Sequence, residues 1–134
     1  MVSTRAPLWI LLSLIAVLVT ACGDNRRLVS VSVAPSQVSA QSSPVQFTAT
    51  GTFSRPPSPV SPASGIVWCI GSADGTCNGN INAGAIVDGM GKATCNPGFS
   101  GTVNVLAGTP AMASPNPDGA FPLKVFGAAA LTCP

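Results

Sequence analysis

The stretch VQFTATGTF, residues 45–53, alternates apolar and polar side chains along its length. Val45, Phe47 and Ala49 fall on one face, with polar side chains on the other, which is the period of two expected of a half-buried β-strand. The stretch LVSVSVAPSQ, residues 28–37, repeats this pattern, with valines at 29, 31 and 33 separated by serines. These two strands predict a sheet with one apolar face.

The rest of the chain continues as short apolar runs separated by turn signals. Runs at 66–69, 103–105 and 123–133 are rich in β-branched or small apolar residues, and we expect Lys124 to point outward from the last run. Pairs in which glycine adopts a positive φ at little cost lie between the runs: Asp74-Gly75, Asn78-Gly79, Asp88-Gly89 and Asp118-Gly119. No segment after residue 28 shows a helical period, so we predict an all-β antiparallel sandwich of about seven strands.

Two proline-rich stretches interrupt the even spacing of the runs. SRPPSPVSPAS, residues 54–64, holds four prolines, and GTPAMASPNPDGA, residues 108–120, holds three. Because proline has no N–H to donate to a central strand, we expect both stretches to be surface connections. A binding role for these two loops is left open.

The N-terminal residues have the order of an export signal. Arg5 supplies a positive charge, residues 8–19 are apolar apart from Ser13, and Asp24 ends the apolar region. The run is shorter than the roughly 20 apolar residues of a transmembrane helix. We therefore expect residues 1–21 to be a cleaved signal peptide, with a core helix as the alternative.

The apolar run closes on VTAC, residues 19–22, which resembles the lipobox of bacterial lipoprotein precursors. In that family the cysteine thiol receives a diacylglycerol, and signal peptidase II cuts just before the cysteine. The resemblance implies cleavage between Ala21 and Cys22, lipid on Cys22, a short polar tether within residues 22–27, and a domain over residues 28–134. Two or more acyl chains give stable anchoring, so membrane lipid is the partner expected through Cys22.

Lipidation of Cys22 also explains the odd number of five cysteines. It leaves an even set, Cys69, Cys77, Cys95 and Cys133, which predicts two disulfides in an exported protein, with three possible connectivities. A zinc site is the alternative, but the chain has no C-x-x-C pair and no histidine.

Five stretches resemble, in order, the strands of the bacterial Ig-like domain of group 2: LVSVSVAPSQ, VQFTATGTF, GIVWC, GAIVDGMGKATC and GTVNV. The resemblance covers about residues 28–107 and implies an Ig-like antiparallel β-sandwich. The four cysteines, the single copy and the extra strand after residue 121 depart from that family.

The Ig strand order would bring all four cysteines of the domain to one end of the sandwich. The pairing it favours is Cys69 with Cys77 and Cys95 with Cys133. Trp68 is expected to point into the core, and stacking on a ligand is the alternative role for its ring.

The inventory of polar residues argues against catalysis. The chain has no His and no Glu, so no side chain with an ordinary pKa near neutrality is available, and no serine lies in a G-x-S-x-G or S-x-x-K motif. We predict no enzyme, no catalytic residue and no cofactor. Residues 74–80, DGTCNGN, lack the carboxylate spacing of an EF-hand, so we expect no metal site. Charged residues make up only 7% of the chain, and the basic ones are scattered apart from the pair Arg26 and Arg27, which argues against nucleic acid as a partner.

Together these features predict a lipid-anchored protein of the bacterial cell envelope, with its domain in the periplasm or at the cell surface. The lipoprotein resemblance favours the outer membrane, because Gly23 stands where some enteric lipoproteins carry an aspartate that retains them in the inner membrane. We expect a structural or protein-interaction module whose partner is an envelope protein. The alternatives are a carrier of a small ligand and a subunit of a secretion or surface assembly. A deep apolar cavity would favour the carrier, whereas a solid core with an exposed edge strand or apolar patch would favour the interaction module.

Overall fold

The structure, a computed structural model, describes residues 26–41, 44–78, 84–113 and 119–134. Ten strands lie in these ranges: β1 (Leu28–Ala34), β2 (Gln37–Ser39), β3 (Val45–Gln46), β4 (Thr48–Phe53), β5 (Val67–Gly71), β6 (Thr76–Cys77), β7 (Ala85–Val87), β8 (Lys92–Cys95), β9 (Gly101–Pro110) and β10 (Phe121–Cys133). The described residues hold no helix long and apolar enough to cross a membrane. The all-β prediction is confirmed, with ten strands where about seven were expected from an Ig-like sandwich.

Two antiparallel ladders share the stretch 45–53. β1 pairs with β4, and β8 pairs with both β3 and β7. Only Phe47 separates β3 from β4, and its backbone N–H donates to the Gly91 carbonyl at 2.9 Å, beside β8. β3 and β4 therefore act as one strand, and the order across this layer is β1, then β4 with β3, then β8, then β7.

The other strands form a sheet of five in the order β2, β10, β6, β5 and β9. β9 and β10 make the longest pairing, which runs from Leu123 opposite Pro110 to Cys133 opposite Gly101. β5 pairs with the other edge of β9. β2 pairs with β10 in parallel, an exception to the antiparallel arrangement that was predicted.

The main core lies where residues of both layers come together. Phe47 and Ala49 contribute from the first layer, and Val105 and Leu131 contribute from the second. The other buried members are Val31, Val33, Ala40, Ile70, Ala85, Ala93, Ala107, Ala129 and Cys133. Most of these side chains are small, which lets the two layers approach closely, and the arrangement is that of a β-sandwich.

A second, smaller core lies on the other face of β9. β6 pairs with both β5 and the start of β10, so strands β5, β9, β10 and β6 close on one another. The side chains that this closure buries are Cys77, Leu106, Phe121 and Leu123. Since both faces of β9 are covered, residues 105–108 are all buried instead of alternating.

A β-bulge changes the inward face of β1. The register against β4 shifts between Leu28 and Ser30, so Leu28 packs against the main core and Val29 is 60% exposed. The sequence pattern placed Val29 inward with Val31 and Val33, which is wrong for Val29 alone. A bulge adds one residue to a strand and so moves the side chain before it to the other face.

The first proline-rich stretch is exposed over residues 54–59, as predicted. It then turns back along β4, where Val60 bridges Gly51 and the Ala63 N–H donates to the Ala49 carbonyl at 2.8 Å. Ala63 is buried, so this part of the stretch is not a surface connection. The second stretch begins inside β9, which extends to Pro110, and residues 114–118 lie outside the described part.

Candidate functional site

The residues predicted to carry the lipid anchor lie outside the described residues. These are Cys22, Ala21 and the signal peptide over residues 1–21. Their assignment stays a prediction. The first described residues of the predicted tether, Arg26 and Arg27, contact Phe53 and Ser54 of the domain.

The four remaining cysteines form two disulfides. Cys69 bonds to Cys77 with their Cα atoms 5.6 Å apart, and Cys95 bonds to Cys133 with their Cα atoms 5.8 Å apart. The prediction of two disulfides is confirmed, and the pairing is the one that the Ig-like strand order favoured.

The two disulfides do not meet at one end of the domain, contrary to the expectation from that strand order. Cys69 lies opposite Leu106, in the middle of β9, whereas Cys133 lies opposite Gly101, at its start. The five-residue step along β9 between Leu106 and Gly101 corresponds to about 16 Å of extended strand. Cys77 is part of the small core and Cys133 is part of the main core, so each disulfide stabilises a different cluster.

An open cleft lies beside Trp68, between the returning proline-rich stretch and the turn that joins β7 to β8. Its volume is about 500 Å³. The lining is mainly apolar and includes Phe47, Pro62, Ile66, Trp68 and Met90. Trp68 is half-buried and packs on the main core, so it is less enclosed than the sequence predicted. We call this feature the Trp68 cleft.

The turn between β7 and β8, the second wall of this cleft, is built by the sequence DGMGK. The Asp88 carboxylate Oδ1 accepts hydrogen bonds of 2.9 Å from the backbone N–H groups of Met90 and Lys92. Gly91 has a φ of 81°, a left-handed conformation that glycine adopts without a Cβ penalty. The Asp88-Gly89 pair in the sequence predicted the positive φ at Gly89 instead, and this prediction is wrong because Gly89 does not have a positive φ.

A side-chain hydrogen bond from Gln46 and the close packing of Gly91 hold this turn beside Phe47. Gln46 Nε2 donates to the Met90 carbonyl and to the Phe47 carbonyl, each at 2.8 Å. A Cβ placed on Gly91 would lie 2.7 Å from both the Phe47 carbonyl oxygen and Trp68 Cζ2. The glycine therefore allows the turn to approach the indole ring closely.

Electrostatic interactions with the ionised Asp88 carboxylate also stabilise this turn. The Lys92 and Met90 backbone N–H groups hold the pKa of Asp88 below its ordinary value of 3.8, and the Lys92 charge lowers that pKa further. Because hydrogen bonds to the ionised carboxylate stabilise the charged form, the turn is most stable when Asp88 is deprotonated.

Two large apolar side chains are exposed on the hairpin formed by β7 and β8. Met90, at the turn and on the rim of the Trp68 cleft, is 80% exposed, and Ile86 is 55% exposed. β7 is also the last strand of its layer. No sequence motif marks these two residues, although a methionine between two glycines in a turn has no core to enter. We refer to Ile86 and Met90 as the hairpin patch.

The other observations on the site are negative. Within the described ranges, no three His, Cys, Asp or Glu side chains come together so as to hold a metal ion. The chain matches no known family model and no curated protein.

Proposed function

We propose that the domain is an Ig-like sandwich. A constant-type Ig domain has sheets with the strand orders A-B-E-D and C-F-G. Those orders follow when β1 is A, β3 with β4 is B, β5 is C, β7 is D, β8 is E, β9 is F and β10 is G. β2 then continues strand A across to strand G, and β6 is an addition after strand C, which accounts for the ten strands.

We propose that this domain is anchored in the bacterial cell envelope by lipid on Cys22. The support is the order of charge, apolar run and small residues that ends on a cysteine. The two disulfides agree with it, since disulfides persist in oxidising compartments and are rare in the cytosol. Labelling with radioactive palmitate tests the anchor: the protein should be labelled and its Cys22→Ala variant should not.

The proposed activity is protein interaction through the hairpin patch. The observation that carries it is the exposure of Ile86 and Met90 on an edge hairpin whose turn is fixed by the Asp88 and Gln46 hydrogen bonds. Exposed apolar side chains on a rigid element bind a partner at a low cost in ordering entropy. Among the described strands only β8 pairs with β7, and a free strand edge offers backbone hydrogen bonds as well.

A carrier of a small ligand is the second candidate, because the volume of the Trp68 cleft lies within the range of small-molecule sites. The openness of the cleft and the packing of Trp68 against Gly91 favour the interaction function instead. A subunit of a secretion or surface assembly would use the same hairpin patch against its neighbour.

Site-specific photo-cross-linking in living cells tests the interaction. A photoreactive amino acid at position 90 should give a discrete protein adduct that disappears in the Ile86→Thr background. Position 29, which is also exposed and apolar but lies on β1, is the matched control. If position 90 gives no adduct, the interaction function is wrong, and equal adducts from positions 29 and 90 would show that the hairpin patch is not the contact site.

A further inference from the structure

The chain enters the domain at a fixed point, because Arg26 and Arg27 are held by the end of β4 and the loop after it. The Arg26 guanidinium lies 3.8 Å from the centre of the Phe53 ring and donates from Nη2 to the Pro57 carbonyl. The Arg27 N–H donates to Ser54 Oγ at 3.0 Å, and the Ser54 N–H donates to the Arg27 carbonyl at 2.9 Å. These contacts continue the β1–β4 ladder past Leu28, so neither arginine belongs to a freely moving tether.

Three of the six basic residues of the chain gather at this end. Arg26 and Arg27 lie beside Ser54, and Arg55 is the next residue along that loop. Arg27 and Arg55 are exposed, as are all residues of 54–59. The two described carboxylates, Asp74 and Asp88, accept backbone hydrogen bonds within their own turns instead. We call Arg26, Arg27 and the loop 54–59 the arginine pole.

The distance from the arginine pole to the proposed lipid is short. Only residues 23–25 separate Cys22 from Arg26. Even when fully extended, the four steps from Cys22 to Arg26 reach at most about 14 Å. A lipid in the membrane attached to Cys22 would therefore keep the arginine pole within reach of the headgroups, whatever path the intervening residues take.

We propose that the arginine pole is a membrane-contact face that lies on anionic lipid headgroups, which rests on the proposed lipid anchor at Cys22. Arginine guanidinium groups bind phosphate oxygens through planar, bidentate hydrogen bonds. Each basic residue near an anionic surface raises binding about fivefold. The short tether and the charge select the same end of the domain, so the domain stands on the membrane in one orientation.

The hairpin patch stands back from the membrane-contact face along the strand that β3 and β4 form, although its turn is the end of the hairpin nearer to that face. The Phe47 N–H donates to the Gly91 carbonyl, which places the base of the turn level with Phe47, six residues along the strand from Phe53. Extended strand covers that separation in about 20 Å. The membrane-contact face and the proposed protein-contact hairpin thus lie at different heights above the bilayer, so both contacts can form at once.

Photolabelling of the full-length lipidated protein in vesicles tests the proposal. The vesicles contain phosphatidylethanolamine with a minority of phosphatidylglycerol, which carries a diazirine in its headgroup, and peptide mass spectrometry locates the adducts. We expect several-fold more adducts in 26–28 and 53–59 than in 97–101, at the far end of β9. Arg55→Gln should lower this ratio about fivefold. Lys92→Gln, which removes one exposed cation elsewhere, should leave the ratio unchanged.

Intact mass of the same sample separates failure of this proposal from failure of the lipid anchor. If Cys22 carries lipid but adducts are equally frequent at the two ends, the oriented contact is overturned. An unchanged ratio in Arg55→Gln would overturn the electrostatic contact with anionic lipid. A protein without lipid on Cys22 would overturn the anchor, and the contact that rests on it would then be rejected too.

Discussion

The variant Gly91→Ala tests how closely the β7–β8 turn is held against Trp68. Gly91 has a φ of 81°, and alanine in this left-handed region costs about 1 kcal/mol. The new Cβ would also lie 2.7 Å from the Phe47 carbonyl oxygen and Trp68 Cζ2. Because backbone and ring would have to move apart, the overpacking adds about 1 to 3 kcal/mol. The total expected loss in the free energy of unfolding is about 2 to 4 kcal/mol.

Gly98→Ala is the matched control, since Gly98 has a φ of 78° and no atom lies within 4 Å of the position that an alanine Cβ would occupy there. Its free energy of unfolding should fall only by the cost of placing alanine in the left-handed region, about 1 kcal/mol. Urea denaturation followed by Trp68 fluorescence measures both variants, because the other tryptophan, Trp9, precedes the predicted cleavage site. Equal losses in the two variants would refute the close approach of the turn to the indole ring.

Two further predictions concern the disulfides and the Asp88 turn. Replacing both Cys95 and Cys133 by alanine should destabilise more than replacing both Cys69 and Cys77. The sequence separations of 38 and 8 correspond to about 4 and about 2.5 kcal/mol of loop-closure free energy, which chemical denaturation measures. The reverse ranking would contradict the entropic account. For the Asp88 turn, the pKa is lowered in the folded state, so the carboxylate stabilises at neutral pH and this stabilisation is lost as the pH falls through that pKa. Asp88→Asn should therefore be less stable than the native protein at neutral pH. In thermal unfolding the difference should begin to shrink near pH 3.8 and vanish below the lowered pKa of the folded state, whereas a constant difference would argue against a role for the charge.

The sequence predicts the individual strands well where one face of a strand meets the core. Phe47 and Ala49 are buried and Thr48 between them is exposed, as the alternation in 45–53 predicted. The prediction that Val29 points inward was wrong, because a bulge depends on how two strands pair and leaves no mark in the pattern of one strand. Residues 105–108 are all buried because the short strand β6 covers the second face of β9, a pairing that the pattern of β9 alone does not predict.

The candidate site was predictable only in part. The disulfide pairing is the one that the Ig-like resemblance favoured, but the distance between the two disulfides depends on which residue of β9 lies opposite Cys69. The hairpin patch depends on the exposure of Met90, which the sequence of the turn permits but does not require. The docking of Arg26 depends on Phe53, which is far from it in sequence and comes close only through the β1–β4 register.

The central claim, a disulfide-bonded domain tied to a membrane through Cys22, is tested most directly by the intact mass of the protein extracted from the cell envelope. Mass spectrometry before and after reduction and alkylation reports the first residue, the attached lipid and the number of bonded thiols together. We predict a chain that begins at Cys22, carries a diacylglycerol on that residue, and has its four other cysteines in disulfides. A chain that begins at another residue, or an unmodified Cys22, would contradict the account.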